Sequence, residues 1–440
     1  MATHRRGLSR RTVLGASAGA AAALGLAACG GGSDDAGGSD SGGAAADFSE
    51  RGPITLAKGK DTTGKLQEFL DAWNTDHPDE KVTLVELPES SDEQRSNLLN
   101  NAQAKSDAYT VLGLDVVWTA EFAANQWVVE LPKDKFPLDT LIPSTVETAT
   151  YFDKLYGVPF MTNAQLLFSR KDLLEAAGYT EAPKTFDEMY QIIEKVKGAN
   201  PDQLGYGGQF SKYEGLTCAV TGIVKSAGGE LFDDQGKPHA DSKQAIAGLQ
   251  TLRNGFDQDY IPQEALTYKE EESRQAFQDG RLVFLTNWPY VFEKFQADDG
   301  SSQVKDKVLV SLVPAVTGDG VSTLGGLNFG ISAFAKNKGT AVDFIAYMVA
   351  EERQKEWAIA TAQPTAAESV YEDADVIAQF PFFPQLKDAI DKGVSRPQVV
   401  KYGDVTQAIQ ENAYSCISGS TEAKAAMTDL QKTLTEVAGK

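Results

Sequence analysis

Residues 286–290 read TNWPY and follow the apolar run RLVFL, so a strand-like segment stops on an indole, a proline and a phenol. A ring delivered at a strand end either fills a core or offers a flat apolar face to a ligand. Proline has no N–H to give a sheet ladder, so Pro289 fixes where Trp288 and Tyr290 emerge. Other chemistry-bearing residue types are sparse. The histidines (His4, His77, His239) and cysteines (Cys29, Cys218, Cys416) are scattered, which argues against a zinc site. There is no GxxxxGKS or GxxxxGKT phosphate loop and no GxSxG nucleophile turn, so no cofactor is expected.

The ends of the chain say where such a protein works. Residues 1–30 read MATHRRGLSRRTVLGASAGAAAALGLAACG. SRRTVL resembles a twin-arginine export signal, and LAAC resembles the lipobox of bacterial lipoproteins, which assigns residues 1–28 to a signal peptide and Cys29 to lipidation. The apolar stretch 13–28 is shorter than the roughly 18–20 residues of a spanning helix. GGSDDAGGSDSGGAAADFSE follows, which makes 29–52 a flexible tether and the membrane association a lipid anchor only.

About 390 residues remain, more than one core usually serves, so two domains are expected. Net charge is −21, and the four arginines of the signal leave the body near −25. That surface excludes nucleic acid as a partner and disfavours anionic ligands. In an exported chain the pair Cys218 and Cys416 fits a disulfide, with two buried thiols as the alternative.

Elements that could position a site alternate along the body. ITLAKG reads as a strand and LQEFLDAW as a helix with Leu66, Phe69, Leu70 and Trp73 on one stripe, capped by Thr62 or Thr63. KVTLVEL, then EQRSNLLNNAQAK, then DVVW and AEFAANQW continue the alternation, which implies an α/β sheet. Ligands of such sheets sit at the strands' carboxyl ends, here after Leu56, after Leu87 and around Val117. In YGVPFMTNAQLLFSR, Thr162 and Asn163 interrupt an apolar run. Trp73, Trp118, Trp127 and Trp357 sit in helical or buried patterns and read as packing residues, and FPFFPQL at 380–386 as a packed crossing or surface loop.

YGVPFMTNAQLLFSRKDLLEAAG, AFQDGRLVFLTNWPY and STLGGLNFGISAFAKN, in this order, resemble the extracellular sugar-binding proteins of ABC importers, the maltose/trehalose-type group. KDTTGKLQEFLDAWN, LGLDVVWTAEFAANQWVVEL and FSKYEGLTC resemble its trehalose- and α-glucoside-binding branch, found in actinobacterial lipoproteins. The resemblance implies a two-lobed, maltose-binding-protein-like (type II periplasmic-binding-protein) α/β fold with a hinge. It places 53–163 and 322–364 in one lobe, and 164–321 and 365–440 in the other.

A neutral disaccharide needs aromatic faces for its C–H surfaces and acids, amides and arginine for its hydroxyls. By resemblance the cleft takes Asp61, Asp115, Asn163, Tyr213, Glu214, Glu270, Glu271, Trp288, Tyr290, Gly325, Gly326, Leu327 and Arg396. Of Glu270, Glu271 and Glu272, one is expected to face the ligand. Asp115 has a bland alternative as a turn cap, Asn163 as a hinge residue, Arg396 as a loop residue and Trp288 as core.

The implied partners are a neutral di- or oligosaccharide and the membrane subunits of an ABC permease, with the protein a monomer. The implied mechanism is lobe closure without chemistry. The same fold binding a polyol or a glycerol-phosphate-type ligand is the alternative, and a secreted glycosidase with two working carboxylates a minor one.

Overall fold

The structure, a computed structural model, describes residues 46–233 and 235–438. The signal, Cys29 and most of the expected tether lie outside the described residues.

Among the described residues eleven strands form in chain order: β1 Ile54–Gly59, β2 Val82–Leu87, β3 Val111–Asp115, β4 Thr150–Tyr151, β5 Lys154–Leu155, β6 Val158–Ala164, β7 Leu166–Arg170, β8 Leu204–Gly207, β9 Leu282–Asn287, β10 Val308–Ser311 and β11 Leu324–Ile331. One sheet has the order β2-β1-β3-β11-β6 and the other β10-β7-β9-β8, while β4 and β5 make a separate hairpin. In the first sheet β1 runs parallel to β2 and β3, and β11 runs antiparallel to both β3 and β6.

Period-two alternation explains how the first sheet buries both faces. Ile54, Leu56 and Val111 enter one core with the helix Leu66–Asp76, whereas Ala57, Leu112 and Leu114 enter another with Trp118 and Phe122. The helix buries Leu66, Phe69, Leu70 and Trp73, the stripe read from the sequence. A third, larger core surrounds the second sheet and the carboxyl-terminal helices.

Three local readings change. The strand near 115 runs over VLGLD rather than DVVW, because Asp115 turns the chain: its carbonyl accepts from the Trp118 N–H at 2.8 Å. Neither Thr62 nor Thr63 caps the first helix; Asp61 does that work, accepting from the Leu66 N–H at 2.9 Å and from Thr63. The segment 380–386 is packed and not a surface loop: Phe380, Phe382 and Phe383 are buried, and the helix Phe383–Asp391 begins there.

Only Gln165 separates β6 from β7, so the chain passes from one sheet to the other at that residue. Its buried amide donates to Gln209 at 2.8 Å, and its carbonyl accepts from the Ser322 hydroxyl at 2.7 Å. The outgoing crossing and the start of β11 are therefore tied together.

The expected disulfide is not formed: Cys218 and Cys416 are both buried free thiols. Helix geometry forbids the bond. The Thr217 and Thr406 hydroxyls meet at 2.7 Å, so Cys218 is level with the start of the helix Tyr402–Ile417. Cys416 lies ten residues further along it, about 15 Å at the helical rise. Bridged cysteines need Cα atoms within about 7 Å. Burial pushes the Cys218 thiol far above its ordinary range and the Cys416 thiol up to about 11. Alkylation without reductant should label neither thiol in the native protein and both in denaturant; protection of both in denaturant would indicate a bridge.

Candidate functional site

The carboxyl ends of β1 and β3 and the start of β11 open on a cleft of about 1120 Å³, faced from the other side by the end of β9 and by two helix starts. Its innermost feature is Arg396, 2 % exposed, in a loop whose Val394 exchanges backbone hydrogen bonds with Ser322 and Leu324. The guanidinium donates to Asp115 Oδ1 at 2.5 Å through Nη2 and to Glu214 Oε1 at 2.6 Å through Nη1. Asp115 ends β3 of the first sheet, and Glu214 starts the helix Glu214–Ser226 beside the second, so one cation joins both sides.

Glu214 is fully engaged. Besides Arg396 it accepts from the Tyr402 hydroxyl and from Thr406 at 2.6 Å. Burial raises its carboxyl above the ordinary value, an effect Arg396 opposes. These bonds hold the arginine from a carboxylate that also lines the cleft. The Glu214 backbone N–H donates to Asp92 at 3.1 Å, a bond between the start of its helix and the helix Ser91–Gln103 that follows β2.

Around this centre the site assembles from short-range rules. Asn287, buried at the end of β9, donates through its amide to the Glu270 carbonyl at 3.0 Å and accepts from the Trp288 N–H at 2.7 Å. The strand end and the helix Glu270–Gln278 are thereby locked, which fixes Trp288 and Glu270 relative to each other. The Trp288 indole is half-buried and lines the cleft. A Cβ on Gly325 would sit 3.0 Å from its Cη2 and Cζ3, so the missing side chain of Gly325 lets the ring lie against β11. Gly326 has φ +148°, and a Cβ there would meet the Met161 carbonyl at 2.5 Å.

Of the three glutamates, Glu270 lines this cleft. Burial raises its carboxyl, against the lowering effect of Tyr213 and Trp288. Glu271 is taken by the Tyr290 hydroxyl at 2.6 Å and Arg274 at 2.7 Å, and faces a neighbouring outer chamber. Glu272 accepts from the Lys269 N–H at 3.1 Å as part of the helix start.

The structure thus brings together Asp115, Asn163, Glu214, Glu270, Trp288, Tyr290, Gly325, Gly326, Leu327 and Arg396. It sets three others aside: Asp61 is the helix cap described above, Glu271 is paired, and Tyr213 is buried behind the lining. Among these candidates three buried atoms have no partner, Asn163 Oδ1, the Tyr213 hydroxyl and Arg396 Nε. Sequence reasoning missed Lys58, Glu89, Ser91, Gln94, Met161 and Cys218, all on the lining. The rule of strand carboxyl ends pointed at the region of the first four, which lie at the end of β1 (Lys58), in the loop after β2 (Glu89) and in the first turn of the helix that follows it (Ser91, Gln94), but no motif singled them out.

Comparison with known proteins agrees with this geometry. Residues 59–355 match the bacterial extracellular solute-binding proteins. A protein of Deinococcus radiodurans described as a probable ABC transporter-binding protein is 31% identical over 413 residues, covering 90% of this chain and 97% of its own. Maltose-bound MalE3 of T. maritima superposes with a TM-score of 0.83 at 32% identity, covering 88% of this chain and 99% of that one. The mannitol-binding protein of Pseudomonas aeruginosa is 24% identical over 329 residues, 72% of this chain and 74% of its own.

Two outcomes check the electrostatics. Glu214→Gln leaves Arg396 with a single carboxylate and should lower stability by about 3 kcal/mol in denaturant titration; an unchanged midpoint would remove Glu214 from its holding role. For Glu270, whose ordinary value is 4.5, the folded carboxyl is raised. As pH climbs above that value the unfolded chain loses its proton first, so stability falls through the window up to the folded pKa. Glu270→Gln should flatten the decline in melting temperature over that window relative to wild type.

Proposed function

The chain belongs to the bacterial extracellular solute-binding proteins, as the substrate-binding component of an ABC sugar importer, and from that premise we propose that its cleft captures a neutral α-glucoside. The ligand is a disaccharide or short oligosaccharide of the trehalose or maltose kind, delivered to the permease by the closed, loaded form. One observation carries the reading: the half-buried Trp288 face stands in the same cleft as hydroxyl-binding groups from both lobes, Asp115 and Asn163 on one side and Glu270 and Arg396 on the other. A flat apolar face beside convergent acids, amide and guanidinium matches a sugar ring with its equatorial hydroxyls.

Several parts of the reading go together. The lobes are 53–163 with 322–364, and 164–321 with 365–440; the membership of β1, β2, β3, β6 and β11 in one sheet supports this. The protein works as a monomer on the outer face of the membrane, exported by the twin-arginine route and held by lipid on Cys29. No helix among the described residues is long and apolar enough to cross a membrane. The cleft binds and does not hydrolyse; the carboxylates of Asp115 and Glu214 are committed to one arginine, which leaves neither placed as a free acid or nucleophile.

A polyol is the second reading, favoured by the mannitol-binding relative. A thermal-shift screen over mono-, di- and trisaccharides, mannitol and glycerol phosphate separates these ligands. An upward shift with mannitol alone would replace the glucoside. Trp288→Ala should weaken binding of the best sugar by about 2 kcal/mol or more, some 30-fold, in calorimetry. The melting temperature of the unliganded variant should stay nearly unchanged; a large loss would return Trp288 to the core.

A further inference from the structure

We propose that Lys58 is a specificity-determining residue of the cleft, its ammonium donating to hydroxyl oxygens of the bound sugar from the floor of the first lobe. The proposal rests on the reading of the cleft as a neutral-sugar site. Lys58 stands near the carboxyl end of β1, beside Glu86 on β2, and lines the cleft. A Cβ on Gly113 would come 3.2 Å from its Cβ and Cγ, so the first part of the lysine stem occupies space that Gly113, on β3, leaves open.

The cations of this lining differ in what they already hold. Arg396 is bound by two carboxylates, and Lys60 lies 3.5 Å from Glu89. Among the described residues Lys58 enters no ion pair, and its one hydrogen bond is a long 3.4 Å contact with the adjacent Gly59 carbonyl. Burial pushes its ammonium down, and Asp61 and Glu86 pull it back up from farther off. An ammonium carries three donors, and a half-buried one with donors to spare is costly until acceptors arrive. Vicinal hydroxyls of a sugar provide them.

An anionic sugar would also satisfy an ammonium. The remaining acids argue for the neutral class, since Glu89, Asp115 and Glu270 share the same lining and would repel a carboxylate or phosphate.

The test is calorimetry of wild type, Lys58→Met and Lys58→Gln with maltose, trehalose, maltotriose, mannitol and glucose 1-phosphate, in 50 and 500 mM salt. The neutral ligand that binds wild type should bind Lys58→Met about 50-fold more weakly, as loss of hydrogen bonds from a charged donor implies. Wild-type affinity should change less than about twofold with salt. Among monodeoxy analogues of that ligand, at least one should weaken wild type while leaving Lys58→Met unaffected, a pattern that a purely structural lysine does not give. Undiminished affinity in Lys58→Met and Lys58→Gln overturns the proposal. Preferred binding of glucose 1-phosphate with a tenfold loss in high salt overturns the neutral class. Wild type that binds no member of the panel overturns the sugar reading itself, and the assignment of Lys58 falls with it.

Discussion

The arrangement of the cleft depends on one buried cation shared by two carboxylates, one from the end of β3 in the first sheet and one from a helix start beside the second. Arg396 is held by Asp115 and Glu214, and the second negative charge is met by hydroxyls of Tyr402 and Thr406 on Glu214. Desolvating three charges is expensive, so such a cluster is weak evidence for stability. Its return is geometric. A guanidinium fastened on two sides cannot swing away, and the loop that carries it is tied through Val394 to the entry of β11. The head of one helix, the end of one strand and the hinge are thus referenced to a single planar group.

The aromatic wall is organised by similarly economical means. Asn287 joins the end of β9 to the start of the next helix, which places an indole and a carboxyl side by side. Gly325 leaves the gap into which the Trp288 ring settles. The two features are interdependent: the ring is fixed by its own strand end on one side and by an absent methyl on the other.

Much of this was legible in the chain. Period-two and helical patterning gave the strands and the buried stripe of the first helix, and Pro289 marked where β9 ends. Asp115, Asn163, Trp288 and Arg396, which the resemblance pointed to, line one cleft. What was not legible was partnership. Nothing in EEESRQAF distinguishes Glu270, which meets the cleft, from Glu271, which meets Tyr290 and Arg274, because the difference is set by helix phase and by a neighbour 19 residues away. The hold of Glu214 on the arginine was hidden for the same reason: its three partners lie 182 to 192 residues along the chain. The cysteine pair misled because even numbers and export say nothing about level along a helix.

The bond from the Glu214 N–H to Asp92 acquires a meaning beyond architecture. Burial raises the Asp92 carboxyl, and the helix N–H works against that rise. With the Tyr402 ring seated in the core around Trp118 and Phe122, it joins the sides of the two sheets through atoms of the protein alone. Contacts of this kind set how often an empty molecule shuts. Each 1.4 kcal/mol they supply multiplies the shut, unloaded population tenfold and lifts apparent affinity by the same fraction, until that form predominates. Tight capture and idle closure are therefore two readings of one equilibrium, and a carboxylate beside the cleft lining bears on both.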